Sequence, residues 1–143
     1  MSDDYDNDYD VHIDVDSHKD VDVYYIWGPK GSGKLNKALK LVKIWFDIIS
    51  YADGCWKGVS NYGKCCLYEN FRDSNMSLNE FIRFIDNDKH TMSVRGGLKP
   101  NEYTTIIIIS KQDPHYIYKN ADDETRKQWL KRMKIINMNQ WYV

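Results

Sequence analysis

The feature that most constrains the fold is a short glycine-rich run that follows an apolar stretch. Residues 28–35 read GPKGSGKL, and residues 21–27 before them read VDVYYIW. β-Branched and aromatic residues that end at a glycine predict a buried β-strand. From Lys34 to Ser50 the apolar residues recur at helical spacing, at Leu35, Leu39, Val42, Phe46 and Ile49. This periodicity predicts a helix over Lys34–Ser50, so the expected order is strand, glycine loop, helix.

Residues 28–35, the glycine loop, fit the phosphate-binding pattern G-x-x-x-x-G-K-[ST] at Gly28, Gly33 and Lys34. The glycines of that pattern permit a tight turn whose backbone N–H groups surround phosphates, and the lysine reaches the outer phosphates. The pattern predicts nucleotide contacts from Gly28, Pro29, Lys30, Gly31, Ser32, Gly33, Lys34 and Leu35. The alternative is an ordinary strand–helix turn that uses glycines for geometry alone.

Leu35 departs from the pattern, because the residue after the lysine normally brings a hydroxyl to Mg²⁺. Leucine has no oxygen, and the amide of Asn36 is rotated by about 100° around a helix. Mg²⁺ can also be held by water and phosphate oxygens. We therefore expect nucleotide binding to survive, Mg²⁺ binding to be weakened and hydrolysis to be impaired.

Charge is distributed unevenly along the chain. Residues 1–22 contain nine Asp and one Lys, a balance of −8, whereas the other 121 residues contain 19 Lys plus Arg against 12 Asp plus Glu, a balance of +7. Densely spaced like charges repel, so residues 1–20 are predicted to be an acidic disordered tail and residues 21–143 one folded domain. A basic body favours an anionic partner.

Cysteine content and hydropathy indicate in which cellular environment the protein is located. The three cysteines are odd in number and have no metal-ligand spacing, which favours reduced thiols in an intracellular protein. Cys65 and Cys66 are predicted to pack in a core strand. No apolar stretch approaches the roughly 18–20 residues that span a bilayer, so no membrane association is expected.

Several other segments predict an α/β sheet. CCLY (residues 65–68) and YTTIIIIS (residues 103–110) read as strands, and the unbroken apolar run of the second predicts burial on both faces, as in a parallel sheet between helices. SLNE (residues 77–80) is a capping box that begins a helix. A last helix is predicted over Asp122–Met133, and residues 93–100 around RGG predict a hairpin. Strands that alternate with helices indicate a layered α/β fold with a mostly parallel sheet.

Taken together, these motifs resemble the superfamily 3 helicase domain, the AAA+-related motor of small DNA and RNA viruses. The nearest likeness is to the helicase half of circovirus-type replication-initiation proteins, with a more distant likeness to picornavirus-type helicases, and it covers residues 21 to about 139. The resemblance implies a three-layer P-loop NTPase of AAA+-like architecture with a mostly parallel central sheet and a basic β-hairpin. It also implies a viral-type replication role in the cytoplasm or nucleus of a host cell.

The resemblance assigns roles to residues outside the glycine loop. In residues 55–71 it places Glu69 at the metal and Asn70 where family members have a second acidic residue that helps to activate water. In residues 106–114 it places Lys111 where a sensing asparagine is usual, and in residues 130–136 it makes Arg132 the arginine that acts on a neighbouring subunit. The hairpin residues implied to touch nucleic acid are Arg95, Gly96, Gly97 and Lys99.

The resemblance thus implies ATP and Mg²⁺ as cofactors, single-stranded RNA or DNA as partner and a homo-oligomeric ring. Leu35, Asn70 and Lys111 each remove part of the hydrolytic apparatus, and phosphoryl transfer depends on positioning and charge stabilisation. The main alternative is therefore a catalytically inactive descendant that binds nucleic acid or a partner. A small-molecule kinase is a third reading, disfavoured because no arginine-rich lid is apparent.

Several single residues also have a purely structural interpretation. Arg95 with its glycines fits a bare hairpin turn, and Arg132 fits an ion pair with Asp122 or Glu124. Trp56 is expected to anchor the core, with base stacking as the alternative. His115 is expected on the surface, and the two tyrosines that follow it, Tyr116 and Tyr118, are expected to pack beneath the sheet.

Overall fold

The protein has an α/β fold, seen in a computed structural model that describes residues 20–42, 45–86 and 90–139. Eight strands form one sheet in the order β6-β5-β3-β2-β4-β7-β1-β8. The strands are β1 Asp22–Trp27, β2 Asp47–Ala52, β3 Cys55–Lys57, β4 Cys65–Phe71, β5 Thr91–Val94, β6 Gly97–Pro100, β7 Thr105–Ser110 and β8 Lys134–Asn137. The helices within the described residues are α1 Lys34–Leu39, α2 Leu78–Ile85 and α3 Asp123–Arg132.

The centre of the sheet is parallel, as predicted. Strands β2, β4, β7, β1 and β8 pair in parallel with their neighbours, and β3 returns antiparallel to β2. β5 and β6 form an antiparallel hairpin that joins the sheet only where Trp56 of β3 pairs with Val94 of β5. The glycine loop therefore leaves an inner strand, β1, which lies between β7 and β8.

Helices cover both faces of the sheet. Alternate residues of β7 point in opposite directions, so Ile106 and Ile108 pack in the cluster that contains α2 and α3, which we call the aromatic face. Ile107 and Ile109 pack on the opposite side against Ala38 of α1, the α1 face. All six residues of β7 are buried, which confirms the prediction of burial on both faces.

The predicted helix over Lys34–Ser50 is wrong beyond its first turns. Helix α1 ends at Leu39, and β2 begins at Asp47. The two-residue turn Asp53–Gly54, both with positive φ, joins β2 to β3 as a hairpin, and β2 also pairs in parallel with β4. Backbone pairing with two strands outweighed the helical spacing of the apolar side chains.

The other helix predictions are confirmed with small changes. Ser77 Oγ accepts a hydrogen bond from the Glu80 N–H at 3.1 Å and caps α2. The Glu80 carboxylate does not complete the capping box, because it accepts from Trp56 Nε1 at 2.9 Å. Asp122 caps α3 in the same manner as Ser77, through the Thr125 N–H. Strand β8, directly after α3, was not predicted.

Eight of the 18 buried residues described in the core of the aromatic face are aromatic. Trp56 is only 2% exposed and is in ring contact with Tyr51, Tyr68 and Phe84, so it anchors the core and offers no face for base stacking. Tyr118 packs against this core, as expected, whereas Tyr116 is 76% exposed, so that expectation was wrong.

Further expectations concern the acidic tail, the cysteines and membrane-spanning helices. The acidic tail predicted over residues 1–20 lies outside the described residues, apart from Asp20. Cys65 and Cys66 are buried thiols in β4, as predicted. Within the described ranges, no helix has the length and apolarity to cross a membrane.

Candidate functional site: a lysine-rich cleft at the ends of three strands

A cavity of about 450 Å³, which we call the cleft, lies at the carboxyl ends of β1, β4 and β7. In open parallel sheets, ligands bind at this edge. The cleft brings together residues from three separate parts of the sequence: Lys30, Gly31, Gly33, Lys34, Leu35, Asn36, Glu69, Asn70, Ile109, Ser110 and Lys111. Five residues assigned to nucleotide chemistry on separate motifs, Lys34, Leu35, Glu69, Asn70 and Lys111, therefore share one cavity.

Two glycines of the loop are required by its geometry. Gly33, which precedes α1, has a φ of 89°, a left-handed conformation that strains any residue with a Cβ. Gly28 is required by packing, since a Cβ there would lie 2.8 Å from Ser32 Oγ and 3.0 Å from Met138 Cβ. Met138 follows β8 and donates its N–H to Trp27 O at 2.8 Å, so the last strand supports the loop from beneath.

Lys34 is folded back over the loop. Its Nζ donates to Gly28 O and to Pro29 O, both at 2.7 Å. Partial burial lowers the pKa of the Lys34 ammonium, and the charge of Lys111 lowers it further. The ammonium is therefore bound to two neutral carbonyls in a cleft that two other lysines also line, so an anion there would stabilise its charged form.

Glu69 and Asn70 reach the cleft because β4 is irregular where they lie. Tyr68 pairs with Ile108 and Phe71 with Ser110, so β4 has one more residue than β7 between these pairs. This bulge lets Tyr68 and Phe71 both face the aromatic core while the two polar residues between them are exposed at the cleft. Bulges commonly re-aim side chains beside functional sites.

A polar network fixes the end of β7. Ser110 Oγ donates to Phe71 O at 2.8 Å and accepts from the Gln112 N–H at 3.0 Å. The Gln112 side chain donates to Asp73 Oδ1 at 3.0 Å and accepts from the Asp73 N–H at 2.8 Å. Lys111, between Ser110 and Gln112, is therefore carried on a backbone that is held on both sides, while its own side chain is exposed.

The cleft supplies few of the oxygen ligands that Mg²⁺ prefers: the carboxylate of Glu69 and the amides of Asn36 and Asn70. Leu35, at the position of the usual hydroxyl, is 45% exposed and presents only carbon to the cleft. Glu69 is the sole carboxylate in the lining, and the Ser110 hydroxyl is already engaged with Phe71 and Gln112. Within the described ranges no three His, Cys, Asp or Glu side chains form a cluster that could hold a metal. The chain therefore offers Mg²⁺ few ligands of its own, and an ion held here would depend mainly on water and phosphate oxygens.

Not every predicted nucleotide contact lines the cleft. Gly28, Pro29 and Ser32 belong to the loop but are not part of the lining. Ser32 is 3% exposed, and its Oγ forms no hydrogen bond with a described residue. Its N–H donates to Pro29 O at 3.2 Å, so in this structure the Ser32 amide closes the loop on itself.

Arg132 lies elsewhere. Its Nη2 donates to Ile85 O, and it borders a separate cavity between α2 and α3 that is lined by Ile82, Ile85, Asp86, Gln128, Trp129, Lys131 and Arg132. The proposed ion pair with Asp122 or Glu124 is not among the ion pairs of the described residues. Arg132 thus binds a backbone carbonyl of its own chain.

The hairpin predicted from the RGG sequence is present as β5 and β6. Arg95 and Gly96 form its turn, and both are exposed. Lys99 on β6 donates through Nζ to Val59 O at 2.9 Å, so it partly anchors the hairpin. The hairpin forms the edge of the sheet, with β3 and β2 between it and β4, and it contributes no residue to the cleft.

Sequence reasoning missed four contributors to the cleft and its support. Asn36 was not expected to replace the missing hydroxyl, because its side chain is rotated around the helix. It nevertheless lines the cavity, because α1 begins beside the cleft. Gln112, Asp73 and Met138 act through contacts between residues 39 or more positions apart, or through a strand that was not predicted. No local pattern signals such partners. Comparison of the sequence with models of known protein families gave no match, and comparison with curated proteins gave none either.

Proposed function

We propose that the chain binds a nucleoside triphosphate, ATP being the first candidate, in the cleft. The observation that carries the proposal is the meeting of the glycine loop, the β4 bulge and the end of β7 at one cavity. These three segments are distant in sequence, and the resemblance to the superfamily 3 helicase domain implies nucleotide chemistry for each of them.

The cleft residues suggest distinct roles for a bound triphosphate. Loop N–H groups would surround the phosphates, and Lys34 would exchange its two carbonyl acceptors for phosphate oxygens. Lys111 would approach the same phosphates from β7. Asn70 can orient a water molecule but cannot accept its proton, so any hydrolysis would be slow.

The wider proposal is a superfamily 3 helicase-like P-loop domain of AAA+-like architecture that acts on single-stranded nucleic acid. It is supported by the layered, mostly parallel sheet, by the inner position of β1 and by the exposed Arg95 at the hairpin turn. In an oligomeric ring Arg132 would serve the site of a neighbouring subunit, which requires it to release Ile85 O. Contact of Arg95 with a phosphate backbone would weaken as salt is raised.

A second function is favoured by one set of residues. Leu35, Asn70 and Lys111 all line the same cleft, so three departures from hydrolytic chemistry act on one ligand. Their effects are not independent and cannot be summed. The second candidate is therefore a nucleotide-binding or nucleotide-free module that has lost turnover and binds nucleic acid or a partner protein.

The test is calorimetric titration of the full chain with ATP, for the wild type, Lys34→Ala and Lys37→Ala. Lys37 is a matched control, because it is an exposed lysine of the same helix that does not line the cleft. Lys34→Ala should weaken ATP binding by about tenfold or more, since charge-assisted contacts to phosphate are lost, whereas Lys37→Ala should change it by less than about twofold.

Phosphate release with and without single-stranded DNA or RNA separates the two candidates. Turnover that disappears in Lys34→Ala supports the motor, and ATP binding without turnover supports the inactive module. If the wild type binds no ATP, or if both lysine variants weaken binding equally, the cleft is not a nucleotide site.

A further inference from the structure

The charges that line the cleft are strongly unbalanced. Lys30, Lys34 and Lys111 oppose Glu69 alone, so three positive charges against one negative charge leave a net charge of +2. Among the described residues, none forms an ion pair with Lys30, Lys111 or Glu69. Mg²⁺ needs oxygen ligands, and this lining supplies one carboxylate, Glu69, and the amides of Asn36 and Asn70 beside three ammonium groups.

Lys111 lies where it can act on the same phosphates as Lys34. β1 and β7 are adjacent strands, with Trp27 opposite Ser110, and the Gly28 N–H donates to Ser110 O at 3.2 Å. The loop that carries Lys34 and the residue after Ser110 therefore leave the sheet side by side, about one strand spacing apart. Partial burial lowers the pKa of Lys34, and the neighbouring charge of Lys111 lowers it further.

Leu35 occupies the position at which the phosphate-binding pattern has a hydroxyl that binds the metal. Its exposed side chain faces the cleft and replaces a hydroxyl by methyl groups, which cannot hydrogen-bond to the water shell that Mg²⁺ releases reluctantly. A hydrated ion would thus meet carbon at Leu35 and the ammonium group of Lys111 after β7, and both contacts are unfavourable to a cation. Glu69 is the one carboxylate in the lining that would attract it.

We propose that the cleft binds the nucleoside triphosphate without Mg²⁺, and that Lys111 supplies the positive charge that a metal supplies in other nucleotide sites. This inference rests on the proposed function and names the ionic form of its ligand. An uncomplexed triphosphate carries more negative charge than its Mg²⁺ complex, so it is attracted more strongly by a cleft of net positive charge. Lys34 and Lys111 would clasp its outer phosphates from two adjacent strands.

The experiment titrates ATP into the full chain in excess Mg²⁺ and in EDTA, at equal ionic strength. The proposal expects a Kd in EDTA that is equal to or lower than the Kd in Mg²⁺. A Kd in EDTA that is more than about threefold higher would overturn it, because the site would then use the metal. Absence of binding in both buffers would overturn the proposed function as well, whereas binding only with Mg²⁺ overturns this inference alone.

Lys111→Ala and Lys119→Ala test the assigned residue. Lys119 is an exposed lysine further along the same connection and does not line the cleft. Lys111→Ala should raise the Kd in EDTA by about tenfold, the loss of one charge-assisted contact, and should raise the Kd in Mg²⁺ less. An equal rise in both buffers, or none, would overturn the role of Lys111. Lys119→Ala should leave both values unchanged.

Leu35→Thr provides an independent variant, because it restores the missing hydroxyl at an exposed position where folding is not at stake. It should lower the Kd in Mg²⁺ relative to the Kd in EDTA by about threefold or more. An unchanged ratio would contradict the claim that Leu35 makes the cleft indifferent to the metal.

Discussion

The two faces of the sheet are built differently. The aromatic face, under α2 and α3, is a continuous cluster of rings in which Phe81 contacts Phe71, Tyr118 and Trp129. The α1 face has a smaller buried cluster of aliphatic residues, and Leu35 and Leu39 on α1 are each 45% exposed. Among the described residues, the aromatic face is covered by two helices and a cluster of rings, whereas the α1 face is covered by one six-residue helix.

The difference indicates that one set of residues determines stability and another set determines ligand binding. On the aromatic face, Trp129 Nε1 donates to Pro114 O and the Tyr118 OH donates to Met76 O. The lysines of the cleft have either carbonyl partners that can be exchanged or no described ion-pair partner. We therefore expect substitutions on the aromatic face to change stability and substitutions at the cleft to change nucleotide affinity.

The largest effect is expected from Phe81→Ala. Phe81 is fully buried between three rings, so truncation should lower the free energy of unfolding by about 3–5 kcal/mol. Urea unfolding followed by tryptophan fluorescence measures the change. Leu39→Ala on the α1 face is the comparison and should cost less than about 1 kcal/mol, because Leu39 is half exposed. Equal losses for the two variants would contradict the difference between the faces.

Two glycines test whether a substitution at the cleft changes nucleotide affinity in addition to stability. Gly33 and Gly54 both have left-handed φ, 89° and 77°, and in neither case does a Cβ meet backbone. Alanine at either position should lower the unfolding free energy by about 1–2 kcal/mol. Only Gly33→Ala should also weaken ATP binding, because only Gly33 lines the cleft. A loss of affinity in Gly54→Ala would mean that general destabilisation, not the loop, controls binding.

The smallest effect is expected at the N-terminus of α2. Ser77→Ala removes the hydrogen bond from the Glu80 N–H and should lower the unfolding free energy by about 1 kcal/mol, without a change in ATP affinity. Ser93→Ala, an exposed residue of β5, should have no measurable effect on either quantity. A change in ATP affinity for Ser77→Ala would show that α2 communicates with the cleft.

Local patterns predicted the parts of the fold that are decided locally. The strand before Gly28, the apolar run of β7 and the cap at Ser77 depend on neighbours in sequence, and all three are present. The helix that was predicted as far as Ser50 fails because β2 is stabilised by pairing with β3 and β4. The Asp53–Gly54 turn is a hairpin signal that could have revealed β2, had it been weighed against the helical spacing.

The residues of the cleft were predicted from the order of motifs along the chain and not from local periodicity or capping patterns. Lys34, Glu69, Asn70 and Lys111 were assigned on separate segments, and the sheet order brings them to one cavity. The bulge that exposes Glu69 and Asn70 together depends on pairing between β4 and β7, which no periodicity reveals. The placement of Arg132 against Ile85 O likewise depends on the packing of α3 beside α2.

Hydrogen–deuterium exchange with and without ATP shows directly where on the chain the nucleotide binds. We predict that ATP slows exchange in peptides that cover residues 28–36, 68–71 and 109–112, the three segments that form the cleft, and leaves the hairpin of residues 91–100 unchanged. Slower exchange confined to the cavity between α2 and α3, or no change anywhere at a saturating ATP concentration, would contradict a nucleotide site at the ends of β1, β4 and β7.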